Sequence, residues 1–181
     1  MPQLSHQEET TARLKEALLA LLSDKDIRRV TAKEIADSAQ VSRATFYTLF
    51  EDKYALFGEI VEEMREGLSE AIRQSLRNKV SLDLQHVELK VHPTLRYVAE
   101  HRAFFRTMIN RSMKPYVNFH RFFLEVFRED VALEPQEPNL SRMARDLYAH
   151  YMTLYLYSIL LFWVKEGLQS TPEEMSRRFW R

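Results

Sequence analysis

The sequence contains no cysteine and few residues that break regular structure, with 3 glycines and 6 prolines among 181 residues. The absence of cysteine excludes a disulfide scaffold, an iron–sulfur centre and a thiolate zinc site, and it fits a reducing cytoplasm. A β-sandwich needs a turn about every dozen residues, so these numbers favour long helices. The 26 basic and 26 acidic side chains leave no net charge, so any nucleic-acid contact must depend on a local patch.

The N-terminal region lacks the apolar core of a secretory signal, since Met1 to Lys15 is polar.

One segment resembles a membrane span. Between Asp146 and Lys165 lie 18 residues without Asp, Glu, Lys or Arg, close to the roughly 20 that cross a bilayer. Four tyrosines and His150 are spread along this segment rather than placed at its ends. That distribution favours a helix buried in a core or a dimer, and we expect no membrane contact.

Motifs of enzymes and metal sites are missing from the sequence. It has no Walker A loop, dinucleotide fingerprint or Gly-x-Ser-x-Gly motif. The six histidines form no H-x-x-x-H or H-x-H pair. We therefore expect no catalytic site, no metal and no cofactor.

Hydrophobic periodicity predicts an all-α fold of nine helices. Three short helices come first, over about residues 8–22, from Thr31 and from Ser42, and Asp52 caps a long fourth helix that reaches Leu76. The stretch after Arg77 is interpreted as a connection. Further helices are predicted over about 93–100, 103–110, 114–129 and 140–166 and from Thr171, with a loop at 134–138. Gly167 is a suitable residue to end the eighth helix.

Residues 31–53 carry the pattern that indicates function. Thr31 and Glu34 form a capping box at one short helix, and Ser42 caps the next. Two such helices joined by three or four residues have helix-turn-helix spacing, in which the second helix enters the DNA major groove. That helix begins Ser42-Arg43-Ala44-Thr45, which offers a helix N-terminus to a phosphate, an arginine to a guanine edge and a threonine to a thymine methyl. Tyr47 and Thr48 follow on its exposed side, and Lys53 is placed for a phosphate.

This stretch resembles the DNA-binding domain of the TetR family of bacterial regulators. The family pattern is matched by Thr31, Ile35, Ala36, Ala39, Val41, Ser42, Thr45, Phe46, Tyr47, Phe50 and Lys53. The resemblance implies a three-helix DNA-binding head over residues 1–52 and a ligand-binding and dimerisation domain over residues 53–181. It also implies that Thr31, Ser42, Tyr47 and Lys53 touch phosphates, while Arg43, Thr45 and Thr48 meet base edges.

Two positions depart from the family pattern. Gln40 replaces the usual turn glycine, and a left-handed backbone there costs a non-glycine residue on the order of 1 kcal/mol. Leu49 stands where the family often has Tyr or His, so we expect one phosphate contact to be missing. Residues 1–50 hold seven basic and seven acidic side chains. The prediction of DNA binding therefore depends on the order of the motif and not on charge.

The C-terminal half resembles the ligand domain of one branch of the family. Tyr97 to His101, Phe104-Phe105, Trp163 to Gly167 and Thr171 to Met175 carry this resemblance, which implies pairing of the last two helices with a second subunit. Periodicity gives the helix over 140–166 one apolar face with Met143, Leu147, Leu154 and Leu161, and another with Met152, Leu156, Ile159 and Trp163. A helix with two apolar faces needs two partners. We expect a homodimer interface containing Met143, Leu147, Leu154, Leu161 and Trp163.

An aromatic run, Tyr116, Phe119, Phe122, Phe123 and Phe127, has two interpretations. Its rings either fill one another as plain core or form the wall of an effector cavity. The expected lining is Met108, Tyr116, Phe119, His120, Phe123, Tyr151 and Tyr155, mostly apolar and suited to a small, neutral or weakly acidic hydrophobic molecule.

Together these features predict a cytoplasmic, homodimeric DNA-binding regulator, a repressor released from a palindromic operator by a hydrophobic ligand. One alternative is an activator or a regulator controlled by a protein partner, with the same fold. Another class of protein is a helical enzyme or interaction protein with a vestigial helix-turn-helix. Salt-dependent binding to palindromic DNA distinguishes the regulators from that class.

Overall fold

The computed structural model of this chain describes residues 5–77, 92–110, 118–133 and 141–179. Within these ranges the chain forms nine α-helices and no strand, which confirms the predicted all-α fold. The helices are α1 (His6–Asp24), α2 (Ala32–Ser38), α3 (Arg43–Leu49), α4 (Lys53–Arg77), α5 (His92–Glu100), α6 (Arg102–Asn110), α7 (Phe119–Leu133), α8 (Arg142–Lys165) and α9 (Pro172–Phe179). A short 3₁₀ helix, Ile27–Arg29, lies in the link between α1 and α2.

The chain divides into two compact units, Met1–Met64 and Arg65–Arg181, and the division falls within α4. In the first unit α1 packs against α2, and α2 packs against α3. Leu14, Leu18 and Leu22 recur every fourth residue along α1 and are almost completely buried. Such spacing places them on one face of the helix. The predicted Asp52 cap of α4 is confirmed, because one carboxylate oxygen accepts from the backbone N–H groups of Tyr54 and Ala55.

In the second unit α8 packs against α6 and α7, while α5 packs against α6 and α9. One of the two apolar faces predicted for α8 is the inner one: Met152, Leu156, Ile159 and Trp163 are all buried. The helix ends as expected at Gly167, which has a left-handed φ of 76°. The next backbone N–H, that of Leu168, donates to the Trp163 carbonyl at 3.0 Å and closes the turn.

Helix α8 is long and apolar enough to cross a membrane by length and composition, but half of that apolar stretch is buried inside the protein. The core helix of a soluble protein meets the same criteria, so α8 is weak evidence for a membrane span.

The predicted helix over 114–129 changes at both ends, since α7 continues to Leu133. Helix α7 begins at Phe119, and the Asn118 side chain caps it by accepting from the Arg121 backbone N–H at 3.0 Å. A helix running through Asn118 is therefore wrong, because a residue that caps a helix lies outside it. Residues 114–117 of the predicted helix, the connection after Arg77 and the loop at 134–138 lie outside the described residues.

Candidate nucleic-acid interface

The start of α2 is fixed by the predicted capping box. The Glu34 backbone N–H donates to the Thr31 hydroxyl at 3.2 Å, and the Thr31 backbone N–H donates to the Glu34 carboxylate at 2.8 Å. Lys25 Nζ lies 2.6 Å from the other carboxylate oxygen. The hydrogen bond from Lys25, followed by those from Thr31, lowers the pKa of Glu34 to about 2. Thr31 is thereby held at an exposed helix N-terminus.

Helix α3 presents one side to the core and one to solvent. Phe46 is completely buried, whereas four of the predicted DNA-contacting residues are exposed on the outer side: Arg43, Ala44, Tyr47 and Thr48. The Ser42 hydroxyl caps the helix by accepting from the Thr45 backbone N–H at 2.9 Å. It also lies 2.7 Å from the half-buried Thr45 hydroxyl. Ser42 and Thr45 are therefore already hydrogen-bonded to each other.

Arg43 is held along the outer side of α3 by Tyr47. Its guanidinium carbon lies 5.5 Å from the centre of the Tyr47 ring, and Nη2 lies 3.4 Å from the phenol oxygen. A cation–π contact at an exposed site contributes about 0.5–1 kcal/mol. Arg43 can therefore exchange this contact for a base edge at modest cost.

Lys53 makes internal contacts that its place in the sequence motif does not indicate. Its ammonium donates to the Val30 carbonyl at 2.7 Å and to the Arg28 carbonyl at 3.1 Å, which closes the end of the 3₁₀ helix. An ammonium has three donors. The two carbonyls use two of them, and Nζ also lies 5.2 Å from the centre of the Tyr54 ring. A phosphate oxygen would compete for the third N–H only with this cation–π contact.

The turn between α2 and α3 has the left-handed residue that the sequence predicts, since Gln40 has a φ of 55°. The Val41 backbone N–H donates to the Ala36 carbonyl at 3.0 Å, the bond that defines this type of helix end. Arg13 Nη2 reaches the turn from α1 and donates to the carbonyls of Ala39 and Gln40. The role of Arg13 has no signal in the sequence, because no local pattern links residues that lie 26 positions apart.

The predicted effector residues do not come together as one lining. Met108 and Phe123 are buried, and the Phe119 ring lies 5.7 Å from that of Phe105 and 6.2 Å from that of Phe123, measured between ring centres. The rings therefore fill one another here, as the plain-core interpretation expects. His120 lies near Tyr157, with 6.4 Å between ring centres. Tyr116 lies outside the described residues.

Tyr151 and Tyr155, placed in that lining by the sequence, stack on each other, with ring centres 6.3 Å apart. They line a shallow surface groove along α8 with Leu154 and Phe162. The structure does not bring them together with Phe123, because turns of 100° per residue place both on a different side of α8 from Tyr157, which approaches Phe123. No group of three or more His, Asp or Glu side chains among the described residues could hold a metal ion.

The outer face of α8 is strongly exposed. Met143, Leu147 and Leu154 are 81%, 69% and 55% exposed, and Leu161 is half-buried. The assignment of Trp163 to the dimer interface is wrong: it is 1% exposed, and its indole N–H donates to the Ser170 carbonyl at 3.1 Å. A ring enclosed in its own core cannot contact a partner.

Two matches to known protein families together cover most of the chain. Residues 14–60 match the family described as bacterial regulatory proteins, tetR family. Residues 85–181 match a family described as transcriptional regulator C-terminal region. The uncharacterized HTH-type transcriptional regulator YxbF of Bacillus subtilis (strain 168) is 44% identical over 173 residues. That match covers 96% of this chain and 44% of YxbF, so the chain spans less than half of the length of this relative.

Solved structures with the same fold include a protein from Syntrophomonas wolfei assigned to the TetR family, with a TM-score of 0.66 and 17% identity over 96% of this chain and 92% of that one. NalD of Pseudomonas aeruginosa, the secondary repressor of the MexAB-OprM multidrug efflux pump, has a TM-score of 0.65 and 16% identity, covering 95% of this chain and 93% of NalD. At these identities the likeness concerns the fold alone.

The capping box at Thr31 predicts a specific acid sensitivity. Because the folded-state pKa of Glu34, about 2, lies below the ordinary value of 4.5, its ionised form stabilises the fold above about pH 4.5, and this contribution is lost as the pH falls towards 2. Glu34→Gln should therefore lower the melting temperature near pH 5 and flatten its dependence on pH below that. Thermal melting from about pH 6 to 2 measures this, with Glu51→Gln as the control. Parallel profiles for wild type and Glu34→Gln would contradict the prediction.

Proposed function

Because the chain belongs to the TetR family of bacterial regulatory proteins, we propose that it acts as a repressor that occupies a palindromic operator as a homodimer. A small hydrophobic ligand releases it. The observation that most directly supports this proposal is that Arg43, Tyr47 and Thr48 lie together on the exposed side of α3. Members of the family are DNA-binding transcriptional regulators and not enzymes, which disfavours a helical enzyme. An activator, or a regulator controlled by a protein partner, is the alternative use of the same fold.

In this proposal the head over residues 1–52, with Lys53 at its boundary, divides its contacts between bases and phosphates. Arg43 donates two hydrogen bonds to the edge of one guanine, and Ala44, Thr45 and Thr48 lie against neighbouring bases. The phosphates are bound by the remaining predicted contacts: Thr31, Ser42, Tyr47 and Lys53. Their roles are supported by exposure at two helix starts, and by the third N–H that Lys53 keeps available.

The homodimer is supported by the stripe on α8 formed by Met143, Leu147, Tyr151, Leu154 and Phe162, all large and exposed. Their spacing of three, four or eight residues places them on one face. Contiguous apolar surface of this kind marks an interaction site. A second copy offers the same stripe, and a two-fold axis lets identical patches pair.

The ligand is proposed to bind beside the ring cluster of α6 and α7. Phe119 and His120 are half-buried at its edge, whereas Phe105 and Phe123 are fully buried. A hydrophobic molecule would displace the Phe119 ring, and His120 and Tyr157 would supply polar atoms. The ligand can release DNA only if it binds the DNA-free protein more tightly than the DNA-bound protein. A difference of roughly 3 kcal/mol between these two binding free energies changes DNA affinity about a hundredfold.

Selection from a random DNA pool tests the central proposal. We expect a palindrome with half-site centres about 34–36 Å apart. On that DNA, Arg43→Ala or Thr45→Ala should cost about 1–3 kcal/mol and relax preference at one position per half-site. Lys53→Ala should weaken binding to every sequence and reduce the salt slope by about 2 per dimer. Tyr47→Phe should also weaken binding to every sequence.

Arg106→Ala, on the exposed side of α6, is the control for loss of one positive charge. No enriched sequence, or equal loss of specificity from Lys53→Ala and Arg43→Ala, would contradict the assignments. A reporter with the selected site overlapping its promoter then separates repression from activation.

The dimer prediction uses the exposed stripe of α8. Leu154→Glu should give a folded monomer at micromolar concentration, because a charge in a self-complementary apolar interface is unpaired on both sides. Light scattering measures the mass, circular dichroism checks the fold, and Leu154→Met is the matched control. Trp163→Ala should instead unfold the chain, since it removes a core side chain. A wild-type monomer would contradict the interface.

A thermal-shift screen of hydrophobic small molecules tests the ligand. Compounds that raise the melting temperature should also release the selected DNA, and Phe119→Trp should abolish both effects by filling the space that the ligand takes. Ala103→Trp, on the exposed side of α6, should leave both effects unchanged. If no compound stabilises the wild type, or if Ala103→Trp removes the response as well, the ligand site is not beside Phe119.

A further inference from the structure

The turn between α2 and α3 contains a backbone conformation that its residue does not favour. Gln40 has a φ of 55°, the left-handed region where a Cβ crowds the following carbonyl oxygen and where glycine is free of strain. The turn sets the direction in which α3 leaves α2. Something must therefore compensate for the glutamine if α3 is to keep one orientation.

Arg13 supplies that compensation from α1. A single guanidinium nitrogen, Nη2, donates both to the Ala39 carbonyl and to the Gln40 carbonyl, the latter at 3.2 Å. Ala39 is 4% exposed, so water has little access to its side of the turn. The carbonyls at a helix C-terminus lack partners within the helix and carry partial negative charge. A guanidinium placed there satisfies two acceptors and is favoured by the helix dipole.

The neighbouring part of α1 is itself anchored. Lys15 Nζ lies 2.8 Å from a Glu59 carboxylate oxygen and 2.7 Å from a Glu63 carboxylate oxygen, both on the first half of α4. Leu14 and Leu18 are completely buried on the inner side of α1. Arg13 therefore extends from a helix that is fixed within the same compact unit, and can hold the turn in place.

We propose that Arg13 is a positioning residue for the recognition helix α3, holding Gln40 in the conformation that glycine would adopt unaided. This inference rests on the proposed function, since it assumes that α3 reads DNA. Loss of Arg13 lets the turn relax, so that all contacts of α3 weaken together. Arg13 touches no phosphate in this proposal, so its loss leaves the dependence on salt unchanged.

The experiment compares wild type, Arg13→Ala, Gln40→Gly and the double variant on the selected operator. Arg13→Ala should weaken binding about tenfold, equivalent to roughly 1.4 kcal/mol, with the same sequence preference and the same salt slope. Gln40→Gly alone should bind like wild type. The double variant should recover most of the loss, because glycine removes the strain that Arg13 offsets. Arg106→Ala is the matched charge control.

Amide hydrogen exchange at Val41 reports on the turn without DNA. The Val41 N–H donates to the Ala36 carbonyl, so Arg13→Ala should speed its exchange and the double variant should slow it again. Unchanged affinity or unchanged Val41 exchange in Arg13→Ala overturns the inference, as does failure of Gln40→Gly to rescue. A salt slope reduced as in Lys53→Ala would make Arg13 a phosphate contact instead. A wild-type chain that selects no DNA overturns the proposed function, and the exchange data still decide whether Arg13 holds the turn.

Discussion

The candidate interface depends on the packing of α2 against both α1 and α3. Each of these two helices has only seven residues, well below the roughly 12–15 that an isolated helix needs in water. They persist because Ile35 and Phe46 are buried in the core that α1 completes, and because Thr31 and Ser42 satisfy backbone donors at their starts. The inner side of α3 is thus fixed by hydrophobic burial, which leaves its outer side for recognition.

Structural features that depend on a few consecutive residues could be predicted from the sequence, because their physical cause is local. The capping box at Thr31, the caps at Ser42 and Asp52 and the helix end at Gly167 are of this kind. Periodicity also separated the two apolar faces of α8, although it did not show which of them is buried. Contacts between distant residues could not be predicted: Arg13 reaches Ala39, and Lys53 reaches Val30, through the tertiary arrangement.

The structure does not gather the candidate effector residues into one lining. Their spacing along α8 already turns Tyr151 and Tyr157 to different sides, at 100° per residue, but the sequence does not show which side approaches Phe123. Trp163 illustrates a related limit. Periodicity placed it on one of two apolar faces of α8 without showing which face is buried, and the resemblance to dimeric regulators suggested that it belongs to the interface. The hydrogen bond from its indole to Ser170 shows that the inner position is correct.

The left-handed residue in the turn also constrains which substitutions this sequence can accept during evolution. While Gln40 is present, a replacement of Arg13 leaves two turn carbonyls without their donor and exposes the backbone strain at once. After a glycine has arisen at position 40, the residue at position 13 can vary much more freely. The order of the two changes therefore decides whether the intermediate chain keeps the orientation of α3, although both orders end at the same sequence.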